Sequence, residues 1–334
     1  MKRTFRLSKK RLLVVAVALL SVAAVLALLF TLKYWENRDS GLPSVVDPTS
    51  PEDRAEIYVD GEKYALNKQV EAVLFLGIDS YETTPTDMYL NGQQADLLML
   101  LVLNHQTRSY TVLQINRDTV ASFRTLGVTG DNGGMMTAPL ALSHAYGTGA
   151  NDSSRNTTKA VSNLLYGVDI PHFATIRMNA ISVLNDAVGG VEVELLDDFT
   201  VLDPSFTKGA CVTLKGEQAV AYVQYRAQLE NNTNLDRMKR QQQYMSAWAS
   251  QLRNKLATDD RFVSSVAMDI ADSLVTDLSV DQMNALGEYF TEYTSNGILD
   301  VAGESVKGKE YMEFHVDEEA LQKQVLDLFY TKAD

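Results

Sequence analysis

Cysteine is nearly missing. Cys211 is the only one among 334 residues, which excludes a disulfide within the chain, and it reads as a small buried hydrophobe. Basic charge is also scarce, with 30 Lys and Arg against 43 Asp and Glu and a net charge of −13. Nucleic acid needs a basic surface and is an unsuitable partner here. No G-x-x-x-x-G-K-[ST] segment occurs, so a nucleotide P-loop is not indicated. No G-x-S-x-G segment occurs either, so a serine nucleophile elbow is absent. His144 has no histidine or cysteine at a metal-sharing spacing and reads as a packing or hydrogen-bonding residue. Apolar residues are not scarce: at 46% they suffice for a core, and a disordered chain is excluded.

The cations that do exist are unevenly placed. Lys2, Arg3, Arg6, Lys9, Lys10 and Arg11 precede an uncharged run over residues 12–32. Such a run spans a hydrocarbon core of about 30 Å as a helix. The basic flank predicts a cytoplasmic N-terminus and a domain on the outer side, with Tyr34 and Trp35 at the interface. A cleaved signal peptide has a shorter apolar core and a small-x-small site, neither of which is found. Residues 1–11 are thus read as a basic tail, 12–32 as an anchor and 33–56 as a proline-containing linker. Residues 57–69 open with I-Y-V-D-G-E-K-Y, a hairpin pattern expected to cover an edge of the main sheet.

Three apolar runs follow, V73-L-F-L-G-I-D79, A95-D96-L-L-M-L-L-V-L103 and Y110-T-V-L-Q-I-N-R117-D118. Their shortness and punctuation favour buried strands over helices. If the second lies antiparallel to the others, Asp79, Asp96, Arg117 and Asp118 share one edge of the sheet. Carboxylates gathered at one rim suit a hard cation, Mg²⁺ or Mn²⁺, and an adjacent arginine suits phosphate. Taken singly, each Asp reads first as a cap of a strand end or loop, and only the constellation reverses this.

Residues 80–95 form a long polar connection, and residues 121–156 are again rich in Gly, Asn, Ser and Thr. A helix is predicted over 156–165 with an Asn/Thr cap, a strand over 173–178, a helix over 181–188 and a strand over 189–195. This alternation indicates an α/β domain. Residues 214–226 read as a short helix ending in Arg226. From Asn234 a longer helix runs with Met238, Gln241, Met245, Trp248 and Leu252 inward and Arg237 beside that stripe. If Thr233 or Asn234 caps it, Arg237, Lys239 and Arg240 crowd its first turn. Cations there are unfavourable by about 0.3–1 kcal/mol each, which invites an anion and implies little contribution to folding. A solvated basic turn paired with Asp236 or Glu230 is the alternative. Residues 258–334 are expected to be a helical extension packed on the same domain.

The segments L-G-I-D-S (76–80), A-D-L-L-M-L (95–100), I-N-R-D-T (115–119), L-S-H-A-Y-G (142–147), Y-V-Q-Y-R (222–226) and D-R-M-K-R-Q-Q (236–242) resemble, in that order, the LytR-CpsA-Psr family of bacterial envelope proteins. The resemblance covers about residues 70–255, and residues 70–257 are taken as the catalytic domain. It implies a three-layer α/β/α sandwich around a central mixed sheet. It further implies a membrane-anchored phosphotransferase that moves a glycopolymer from a polyprenyl-pyrophosphate-linked donor to peptidoglycan. Asp79 and Asp96 would then hold Mg²⁺. Arg117, Arg226, Arg237, Arg240 and Gln241 would hold the pyrophosphate, Arg117 and Arg240 would stabilise the transition state, and Asp118 would be the base. One departure stands out: Gln224 occupies a position where the family commonly has arginine. A pyrophosphatase using water and a non-catalytic envelope binding protein are the competing readings.

Overall fold

The computed structural model describes residues 56–59, 61–79, 93–127, 130–225 and 233–333. Residues 1–55, most of the 80–95 connection and Arg226 lie outside the described residues. So do the expectations placed on them. No helix among the described residues is long and apolar enough to cross a membrane.

In chain order the strands are β1 (Glu56–Val59), β2 (Glu62–Leu66), β3 (Val70–Ile78), β4 (Ala95–Asn104) and β5 (Ser109–Ile115). Then come β6 (Val120–Leu126), β7 (Asn132–Pro139), β8 (His172–Arg177), β9 (Val191–Glu194) and β10 (Cys211–Leu214). The last are β11 (Leu274–Thr276), β12 (Thr294–Asp300), β13 (Gly303–Lys307), β14 (Met312–Val316) and β15 (Tyr330–Lys332). The helices are α1 (Ala150–Leu164), α2 (Ala180–Ala187), α3 (Glu217–Gln224), α4 (Asn234–Leu256), α5 (Phe262–Asp269), α6 (Val280–Glu292) and α7 (Glu318–Phe329).

Six strands form the central sheet in the order β11-β8-β3-β4-β5-β12. β4 is antiparallel to both β3 and β5, as the three apolar runs require, while β8 is parallel to β3 and β12 parallel to β5. The sheet is therefore mixed. Strand alternation sends Leu74, Leu76, Leu98, Leu100, Leu113 and Ile115 to one face, where they form a core with Val161, Leu165, Leu321, Val325 and Phe329. Each fully buried leucine contributes about 1.5–3 kcal/mol of burial free energy. The other face carries Val73, Leu103 and Tyr110, covered by Leu286, Tyr289 and Phe290 of α6. Helices thus lie on both faces.

Several local expectations change. α1 begins at Ala150, six residues before the predicted Asn/Thr cap. Its serines and threonines are buried helix interior, because Ser154, Thr157 and Thr158 return their hydroxyls to the carbonyls of Ala150, Ser153 and Ser154. The hairpin β1–β2 pairs with the C-terminal strand β15 rather than with an edge of the central sheet. Much of the polar 121–156 segment is the hairpin β6–β7. The region after residue 257 is not only helical: it supplies both edge strands of the central sheet, β11 and β12, and the hairpin β13–β14. Cys211 is exposed on β10, not buried.

Candidate active site

Chain direction brings the charged ends of the runs together. β3 ends before Asp79, β4 starts beside Asp96, and β5 leads into Arg117 and Asp118, so all four lie at one rim. The β3–β4 register slips at this point: Gly77 pairs with Leu97 but Ile78 with Ala95, leaving Asp96 as an extra residue of β4. A bulge of this kind re-aims a side chain and ends the pairing. Gly77 is needed there, since a Cβ would stand 2.9 Å from Met178 Sδ and 3.0 Å from Leu97 Cβ.

Asp96 is buried, and two guanidinium groups reach it. Arg117 forms a direct ion pair with Asp96 and donates to Gln94 Oε1, while its Nε lies 3.7 Å from Asp118 Oδ1. Arg237, only 2% exposed, places Nη1 3.4 Å from Asp96 Oδ1 and donates from Nη2 to Asn234 Oδ1 at 2.6 Å. The turn carrying Arg117 is set by Asn116, whose Oδ1 accepts from the Asp118 amide at 2.9 Å and from Asn234 Nδ2 at 2.6 Å. Asp79 is half-buried and accepts from Gln224 Nε2 at 3.0 Å. The residue standing where an arginine was expected therefore grips the first carboxylate as a neutral donor.

Thr233 caps α4, accepting from the Asp236 amide at 3.2 Å. Its fully buried side chains are Arg237, Met238, Arg240, Gln241 and Tyr244, and Met245, Trp248 and Leu252 pack on a core cluster, so the expected stripe faces inward and is widened by two arginines. Arg240 is engaged by the protein itself. It is 0% exposed, pairs with Asp197 at 2.8 Å, and donates to the carbonyls of Tyr222 and Tyr225 at 3.1 and 2.5 Å. As the seventh residue of α4 it lies beyond the first turn, and it closes the C-terminal end of α3. Gln241 works beside it, donating to the Val223 carbonyl and accepting from Gln114 Nε2, both at 3.2 Å. Arg240 and Gln241 thus position the 222–225 segment that carries Gln224.

His144 is fully buried and donates from Nδ1 to the Gln93 carbonyl at 2.9 Å. Burial lowers its pKa to about 4, partly opposed by that hydrogen bond. A histidine kept neutral stabilises the fold above its ordinary pKa near 6.5, and the contribution is lost as pH falls towards 4. Wild type should lose roughly 3 kcal/mol more than His144→Gln across that interval, read from urea melts at each pH.

Sequence reading missed several residues at this rim. Asn116, Gln114, Asn234 and Gln94 position the charges, and neutral amides leave no charge pattern to follow. Arg177, exposed at the end of β8 and paired in register with Ile78, was detectable: it ends an apolar run just as Asp79 does. Among the described residues no group of three or more His, Cys, Asp or Glu could enclose a metal.

A mixed sheet flanked by helices, with carboxylates and arginines at one rim, defines an α/β protein with a charged site at that rim. The fold is shared with a solved structure of TagT bound to LIIa-WTA, with a TM-score of 0.58 and 21% identity over 78% of this chain and 90% of that one. The chain belongs to the LytR_cpsA_psr family, whose profile matches residues 45–328. Polyisoprenyl-teichoic acid–peptidoglycan teichoic acid transferase TagU of Halalkalibacterium halodurans is 27% identical over 71% of this chain and 70% of its own length. The TagU of Enterococcus faecalis is 26% identical over 66% of this chain and 65% of its own length.

Proposed function

We propose that this chain transfers a phosphoglycan, of the teichoic acid or wall-polysaccharide class, from a polyprenyl-pyrophosphate donor to peptidoglycan. The observation that carries the reading is the convergence of Arg117 and Arg237 on Asp96, beside Asp79 and Asp118, at one sheet rim. Two inward guanidiniums held by one carboxylate are preorganised donors for phosphate oxygens. The names of the related TagU enzymes support the same chemistry.

In the step, an acceptor hydroxyl oxygen bonds to the phosphorus nearer the glycan and the bridging P–O bond breaks. Polyprenyl phosphate leaves, and the hydroxyl proton passes to the Asp118 carboxylate. Arg117 and Arg237 hold the phosphoryl oxygens as charge grows on them. Arg226 is assigned to the same pyrophosphate by its place two residues after Gln224, and Gln241 floors the site. Arg240 supports the site through α3.

Asp79 and Asp96 are the carboxylates of this rim that would hold Mg²⁺, or Mn²⁺, since Mg²⁺ is commonly held by one or two carboxylates together with substrate phosphates. When bound, the ion would neutralise pyrophosphate charge and polarise a phosphoryl oxygen. Asp79→Ala is expected to lower turnover at least tenfold and to weaken Mn²⁺ binding by electron paramagnetic resonance, with an unchanged melting midpoint. Asp96→Ala is a poorer probe, because it removes the counter-charge of the buried Arg237 and the half-buried Arg117 and costs about 3–5 kcal/mol of stability.

Phe75, in mid-strand and 36% exposed between buried neighbours, supports an apolar path for the polyprenyl chain. The span at residues 12–32 would hold the site at the outer membrane surface, in a single pass with the N-terminus cytoplasmic. Protease added to intact protoplasts should then digest the domain, and full protection would remove this topology. The proposed activity is tested by following polyprenyl phosphate release with and without a peptidoglycan oligomer. Acceleration by the oligomer is expected; release indifferent to it would favour hydrolysis.

A further inference from the structure

At the same rim, one strand beyond Asp118, lies a cavity of about 210 Å³. β12 runs parallel to β5, so its end at Asp300 lies level with Gln114, two residues before Asn116 and three before Arg117. The cavity is enclosed by Met238, Val301 and Phe314, with Lys239, Gln242 and Asp300 among its polar walls. Gln242 Nε2 donates to Asp300 Oδ1 at 2.5 Å, fixing that wall.

The cavity is joined to the reacting groups through main chain. The Phe314 amide donates to the Asp118 carbonyl at 2.8 Å, and Phe314 bridges to Thr119. The Val301 amide donates to the Gln114 carbonyl at 3.4 Å.

We propose that this cavity is the acceptor subsite and takes one neutral pyranose ring of the glycan that receives the phosphoryl group. This rests on the transferase reading above. Asp300 in the wall opposes a phosphate, and the volume is far below that of a polyprenyl chain. Apolar surface of Met238, Val301 and Phe314 suits the C–H face of a sugar, while Gln242, Asp300 and Lys239 suit its hydroxyls. Its position also selects acceptor over donor. It lies on the Asp118 side of the rim, away from Asp79 and Gln224, and in-line displacement brings the attacking oxygen from the side opposite the leaving phosphate.

Ala302 and Gly303 are exposed at the mouth, so a large side chain at 302 can fill the cavity without entering the core. With the full chain in detergent micelles, Ala302→Trp should raise the KM for a soluble peptidoglycan oligomer at least tenfold. The donor KM and the melting midpoint should not change. The double variant Asp300→Asn/Gln242→Ala should raise the same KM with the cavity left open. Acceptor KM values unchanged in both variants would overturn the assignment, as would a donor KM that rises in parallel. If wild type shows no turnover, the transferase reading has failed. Saturation-transfer NMR with a peptidoglycan disaccharide then judges the cavity alone: a sugar signal present in wild type and abolished by Ala302→Trp supports a saccharide site, and no sugar signal in wild type overturns it.

Discussion

Arg240→Ala should destabilise the fold by about 3–5 kcal/mol, since it leaves the buried Asp197 carboxylate unpaired and two carbonyls at the end of α3 without a donor. At about 2–4 °C per kcal/mol for a domain of this class, the melting midpoint should fall by roughly 10 °C. A first-turn cation at a helix N-terminus would behave in the opposite way, with almost no change. Arg240→Met combined with Asp197→Leu removes both charges and should recover much of the loss, because replacing a buried ion pair by apolar side chains is often neutral. A midpoint within 2 °C of wild type for Arg240→Ala, against the roughly 10 °C expected, would return this residue to the substrate-binding set.

Arg117→Ala should act on the chemistry. Removing one preorganised donor to a charged transition state costs on the order of 10²–10³ in kcat. The donor's dissociation constant should change much less, because the phosphoryl charge grows during the step. Arg117→Lys should not restore the rate, since an ammonium cannot hold Asp96 and Gln94 together with one planar fork. Equal losses in kcat and in donor affinity would instead describe a binding residue.

Local chemistry decided which of these features the sequence disclosed. Short apolar runs bounded by Asp79, Asp96 and Arg117 carried their strand identity and pairing, because a strand buried on both faces must be apolar almost throughout. α1 was read six residues short, since serine and threonine hydroxyls can bond backwards within a helix as well as stop one. β11 and β12 went unseen because edge strands packed on one side by a helix need little apolar sequence. β12 is mostly exposed.

At the site, charge was legible and its direction was not. Arg237 and Arg240 are three residues apart on α4, yet one faces Asp96 and the other Asp197. Asp197 lies in a loop that nothing in its local pattern connects to α4. The Asp96 bulge was equally invisible, being a property of two paired strands. Gln224 was recognised as a departure, and only its contact with Asp79 gives it a role.

The central claim is that a phosphoglycan moves to a sugar hydroxyl and not to water. The most direct measurement is the mass of a peptidoglycan oligomer after incubation with the full chain, Mg²⁺ and a polyprenyl-pyrophosphoryl saccharide in ¹⁸O-enriched water. Transfer predicts an oligomer heavier by one phosphoglycan unit, with no ¹⁸O in the new phosphodiester and polyprenyl phosphate as the other product. An oligomer of unchanged mass beside free phosphosaccharide containing ¹⁸O would contradict it.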